Sequence, residues 1–93
     1  MTFDQFNSSL QQATPPEMSV YLRALWYDGK GDWDQSHEVI QDVPDRTASW
    51  IHAYLHRKEG DAFNARYWYN KAGKPVPEQS LQQEWEAIVK ALL

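Results

Sequence analysis

Ala24-Leu-Trp-Tyr-Asp-Gly-Lys-Gly-Asp-Trp33 and Ala53-Tyr-Leu-His-Arg-Lys-Glu-Gly-Asp-Ala62 are two renderings of one pattern, offset by 29 positions (24 to 53). In each, an aromatic-rich run ends at Gly-Asp and a second helical pattern begins there. Glycine takes the left-handed position past a helix end without strain, and Asp caps the helix that follows. The two stretches together predict tandem helix-turn-helix units, the signature of an α-helical repeat fold.

Outward from these motifs, apolar residues recur at helical spacing. Phe3, Phe6 and Leu10 predict a helix over about 3–12. Thr14-Pro-Pro-Glu17 predicts the start of a second helix, with Thr14 as cap, Pro15 at the first position and Glu17 completing a capping box. That helix carries Met18, Tyr21, Leu22, Leu25 and Trp26 to about Asp28. A third runs from the Asp32 cap through Trp33, Val39, Ile40 and Val43 to Pro44. A fourth opens at Asp45 or Arg46 and ends at Gly60. A fifth follows Asp61, with Phe63, Ala65, Trp68, Tyr69 and Ala72, and ends at Gly73 and the Pro75/Pro77 pair. The last, about 78–92, carries Leu81, Trp85, Ile88, Val89 and Leu92. No stretch alternates as a half-buried strand does, and the short connections predict antiparallel neighbours.

The run from Gly60 to Pro75 resembles the second half of a tetratricopeptide repeat: Gly-Asp at the turn, then Ala65, Tyr69 and Ala72, with Pro75 closing the unit. Ala53 stands at the family's small crossing position, and His56 and His52 stand at an aromatic and an apolar one. In the first copy Ala24, Tyr27, Gly31 and Asp32 fit, with Ser36, Ile40 and Val43 at second-helix positions. The resemblance implies an all-α, tetratricopeptide-like right-handed stack of antiparallel helix pairs. Units at about 15–43 and 45–75 form one domain, 1–93, with the first and last helices as caps. The 29-residue offset is shorter than the family's repeat of about 34, and two units fall below the usual three or so. The resemblance also implies a scaffold for protein or peptide recognition rather than an enzyme.

Composition narrows the partners. A 93-residue chain buries roughly 60–70% of its unfolded surface, and its five Trp, five Tyr and three Phe supply the area. A net charge of −4 opposes nucleic acid and anionic membrane surfaces as partners. With no cysteine there is no disulfide, thiolate site or cysteine nucleophile. The opening Met-Thr-Phe-Asp-Gln-Phe is unlike a signal peptide, and no apolar run reaches the about 20 residues of a membrane span. The expectation is a cytoplasmic protein.

His52 and His56, four apart, share one helix face, and His37 lies on the preceding helix, which a hairpin stack makes a neighbour. Such imidazoles can chelate a divalent metal. The zinc-protease pattern is missing, because Ala53 stands where that pattern needs Glu. Packed, hydrogen-bonded histidines are the competing reading. Tyr67-Trp68-Tyr69 cannot all face inward, and exposed aromatics anchor partners. Asn64 offers both a donor and an acceptor, to a ligand or to its own turn.

These residues lead to a non-catalytic protein- or peptide-interaction module. Its expected binding surface is Trp26, Asp28, His37, His52, His56, Arg57, Asn64 and Tyr67, with no catalytic residue, metal or cofactor assigned. The partner is a protein, a peptide or a second copy of the chain. The alternative is a small-ligand or metal site, catalytic or not, at His37, His52 and His56.

Overall fold

The computed structural model describes residues 1–93 and is all-helical: α1 (Phe3–Ser9), α2 (Val20–Gly29), α3 (Trp33–Ile40), α4 (Arg46–Glu59), α5 (Ala62–Ala72) and α6 (Leu81–Leu92). Its radius of gyration, 12.3 Å, is the value of about 12 Å expected of a folded chain this long. Each helix starts where a side chain accepts the orphan amide two or three residues on. Thr2, Ser19, Asp32, Asp45, Asp61 and Ser80 do this for α1 to α6 in turn. Gly31, Gly60 and Gly73 take φ of 83°, 90° and 69°, a region open to glycine and closed at this cost to other residues.

Four predicted boundaries move inward, among them the start of the last helix, at Leu81 behind the Ser80 cap rather than about 78. α2 begins at Val20 behind the Ser19 cap, not at Pro15 behind Thr14. Thr14 and Pro15 each precede a proline, whose ring disfavours the helical region for the residue before it. The Thr14/Glu17 capping box therefore does not form, and residues 11–19 run as an irregular connection. α1 ends at Ser9 rather than about 12, its last turn tightening through Leu10 N–H to Asn7 O and Gln11 N–H to Ser8 O. α3 ends at Ile40 rather than 43.

α2 packs on α3 and α4 on α5, so each sequential pair forms a hairpin; α4 also meets α2 and α3, and α6 lies against α2 and α4. Ala24 and Ala53, the small residues of the two quoted motifs, are fully buried. The main core joins Phe6, Leu22, Leu25, Trp26, Ile51, Tyr54, Leu55, Trp85, Ile88 and Val89, and a smaller one joins Ala53, Ala65 and Tyr69.

Trp85 fastens α6. Its ring meets Phe3 and Phe6 at 6.0 and 5.9 Å, and its indole N–H donates to the Leu25 carbonyl at 3.0 Å. Gly29 makes room for that ring, since a Cβ there would lie 3.0 Å from Trp85 and 3.1 Å from Leu10. Gly29→Ala is accordingly expected to lower stability by about 1 kcal/mol in urea unfolding. Overpacking of 1–3 kcal/mol outweighs the gain in helix propensity of just under about 1 kcal/mol.

Two buried carboxylates tie the hairpins to their neighbours. Asp28, 3% exposed, accepts from Tyr54 at 2.6 Å and Lys58 at 2.9 Å. Glu84, 1% exposed, accepts from Arg57 at 2.8 Å and Tyr69 at 2.5 Å. Burial first, and the carboxylate bond second, push the Tyr54 and Tyr69 hydroxyls far above the ordinary tyrosine range, so both remain donors.

Candidate functional site

The histidines emerge on the side of α4 that faces away from these carboxylates. At about 100° per residue, His52 and His56 each stand some 200° from Tyr54. α3 brings His37 over that face from one side, and α5 brings Trp68 from the other.

The result is a continuous belt of rings across three helices. Trp33 stacks on His37 one turn later in α3 (5.0 Å, 10°), and its indole N–H is pinned to the Leu55 carbonyl of α4 at 2.8 Å. His37 meets His52 edge-on at 4.7 Å and His56 at 5.5 Å. His52 stacks on His56 at 4.8 Å and on Trp68 at 3.9 Å. Tyr67 meets Trp68 edge-on at 5.2 Å, and the Lys71 ammonium lies 5.1 Å from the Trp68 ring and 5.3 Å from that of Tyr67.

Electrostatically the belt disfavours a charge on His37 and His52. The Nε2 atoms of His37 and His52 are 3.0 Å apart, a hydrogen bond that needs one protonated and one free nitrogen. Burial, then the neighbouring imidazoles His37 and His56, lower His52 to about 4. Burial and the His56 ring also lower His37, against the opposing pull of Glu59, Glu38 and Asp34. His56 is fixed differently: its Nδ1 lies 2.6 Å from a Glu59 carboxylate oxygen. An ionised carboxylate only accepts, so Nδ1 carries a proton toward it, and Nε2 takes no part in that bond. One ring nitrogen from each of the three histidines falls within 4.8 Å of the other two.

The residues anticipated from the sequence divide into separate places. His37, His52 and His56 converge, and Tyr67, half exposed, borders them. Trp26 is 1% exposed and donates from its indole nitrogen to Ser9, so it has no surface to offer a partner. Asp28 and Arg57 are spent on the buried contacts with Tyr54, Lys58 and Glu84, on the far side of α4 from the histidines. Asn64 donates to the carboxylate of its own cap, Asp61, at 2.7 Å. Trp33, Glu59 and Trp68 join the cluster although they lie outside the expected binding surface, Trp68 having counted only among the aromatics that cannot all face inward. Glu59 was within reach, three residues after His56 on a helix and so on its face. Trp68 was not, since its contact with His52 depends on how α5 leans on α4.

A cleft of about 250 Å³ opens elsewhere, bordered by Asp28, Gly29, Tyr54, Lys58 and Trp85, but its charged groups already bond one another. No helix is long and apolar enough to cross a membrane. Comparison with protein families, curated proteins and solved structures found no match to this chain.

Proposed function

We propose that the protein is a non-catalytic, tetratricopeptide-like interaction module that receives a protein or peptide partner on the ring belt of α3, α4 and α5. The reading rests on one observation above all: the belt runs without a break from Trp33 to Tyr67 and ends in side chains that face water. Tyr67 is 50% exposed, and Phe63, one turn earlier on α5, is 77% exposed, the most of any large apolar residue. A small domain leaves such rings outside at a cost, and aromatic rings framed by polar groups make good anchors. The opposite face of the first-position helices, α2 and α4, is covered by the chain's own α6, which leaves the α3–α5 side for a visitor. Sequential hairpins with Ala24 and Ala53 buried between them are the support for the repeat-like stack.

A photo-crosslinking residue placed at Tyr67 is expected to capture a discrete partner that the same residue at exposed Gln11, on the α1–α2 connection, does not. A Phe63→Ser change should reduce that capture at least several-fold. Light scattering of the purified chain separates a second copy from a foreign partner. Equal capture from both positions, indifferent to Phe63, would remove the reading.

A further inference from the structure

We infer that His37, His52 and His56 form a three-histidine site for a divalent transition-metal ion of the zinc, cobalt or nickel class. Four observations carry it, and none depends on the belt's having a protein partner.

The donor set comes first. Three imidazole donors suit a borderline ion, whereas calcium and magnesium require oxygen ligands. The second is geometry. Ligands 2.0–2.1 Å from a tetrahedral centre stand roughly 3.4 Å from one another, as follows from the bond length. The His37–His52 nitrogen pair is at 3.0 Å, and all three ligand atoms lie within 4.8 Å of one another. Small side-chain turns of His56 therefore close the set without moving a helix.

The third is the support behind the ligands. Glu59 holds His56 through Nδ1, the carboxylate–histidine arrangement that orients ligands in metal sites, and Nε2 is the nitrogen that would meet the ion. Trp33 and Trp68 stack on His37 and His52 and fix their ring planes. The fourth is access. His52 is 6% exposed, but His37 is only half-buried and the His56 side chain is 12% exposed, so the cluster has a route to solvent. A fourth coordination position toward that opening would be filled by water.

Entry of the ion replaces the His37–His52 hydrogen bond. The donating ring passes its proton from Nε2, through water, to its own Nδ1, and both Nε2 lone pairs then face the metal. This exchange within the His37–His52 pair releases no net proton.

The test is a titration of the intact chain with Co²⁺, read in visible absorption, and with Zn²⁺ in competition against a chromophoric chelator. A single site is expected, with the intense bands of tetrahedral cobalt and displacement by zinc. Ni²⁺ should quench the indoles of Trp33 and Trp68. His37→Gln, at the half-buried position, should weaken binding by more than the roughly 10–100-fold typical of a lost outer-shell partner, and Glu59→Gln should fall within that range. Circular dichroism checks that both variants fold. If His37→Gln and Glu59→Gln bind as the parent does, the ion sits on the His52/His56 pair as on any exposed helix, and the site is refuted. Absence of saturable cobalt binding by the folded chain refutes it equally.

Discussion

Arg57→Met is expected to destabilise the protein by about 3 kcal/mol, near the low end of the range for stripping one partner from a buried ion pair. Glu84 is 1% exposed and holds two partners, Arg57 and the Tyr69 hydroxyl. Methionine keeps the length of the arginine stem but removes the guanidinium, and with it the bond to the Gln79 carbonyl that holds the approach to α6. The side chain of Arg57 is 23% exposed, so water can reach part of the vacated space and the upper end of the range is not expected. The double variant Arg57→Met/Glu84→Gln should recover most of the loss, because the uncompensated charge has gone. Equilibrium urea unfolding of the two single variants and the double closes the cycle. A double variant no better than Arg57→Met would show that the arginine acts through packing, not through Glu84.

The second large effect is a loss of stability in mild acid. His52 is held neutral down to about 4 in the folded state, while in the unfolded chain it titrates at the ordinary 6.5. Below pH 6.5 the unfolded chain therefore binds a proton that the folded chain refuses, and stability falls as the pH drops. The fall continues to about pH 4, where folded His52 also titrates, and then ends on this residue's account. The shift corresponds to about 3 kcal/mol across that window. His37, lowered for the same reason, acts in the same direction. Thermal unfolding followed from pH 7 to 4.5 should show a decline that His52→Gln flattens by about 2 kcal/mol. The slope is diagnostic, not the absolute stability, since glutamine in that slot alters packing too. Parallel profiles for the parent and His52→Gln would remove the acid dependence from this ring.

The turns were the most legible part of the molecule. Gly31, Gly60 and Gly73 and the caps Asp32 and Asp61 act locally, and a local requirement leaves a local trace. Thr14-Pro-Pro-Glu17 misled for a related reason: it contains every element of a helix start, but consecutive prolines hold the preceding residues extended, and the less conspicuous Ser19 takes the cap. The convergence of His37 with His52 and His56 followed from two inferences, an i,i+4 pair and the neighbouring helix of the preceding unit in a stack.

What the sequence concealed was the assignment of faces on α4. That helix is buried from Ala48 to Leu55 except at Trp50, with neighbours on several sides, so its pattern has no single apolar stripe to orient it. Asp28 and Arg57 thus looked like companions of the histidines, and the structure puts them behind the helix against Tyr54 and Glu84. Glu84 itself reads as an ordinary exposed residue of an amphipathic α6. Its burial comes from two partners that approach from α4 and α5, 27 and 15 residues away in the chain.

The belt stands or falls on whether the imidazoles of α3 and α4 meet in solution. Isotope-edited NMR of the histidine and tryptophan rings examines this directly. Cross-relaxation between the His37 and His52 ring protons is expected, with His52 shifted upfield by the face of Trp68. Three histidine rings without mutual contacts, all titrating near the 6.5 of a free imidazole, would contradict it.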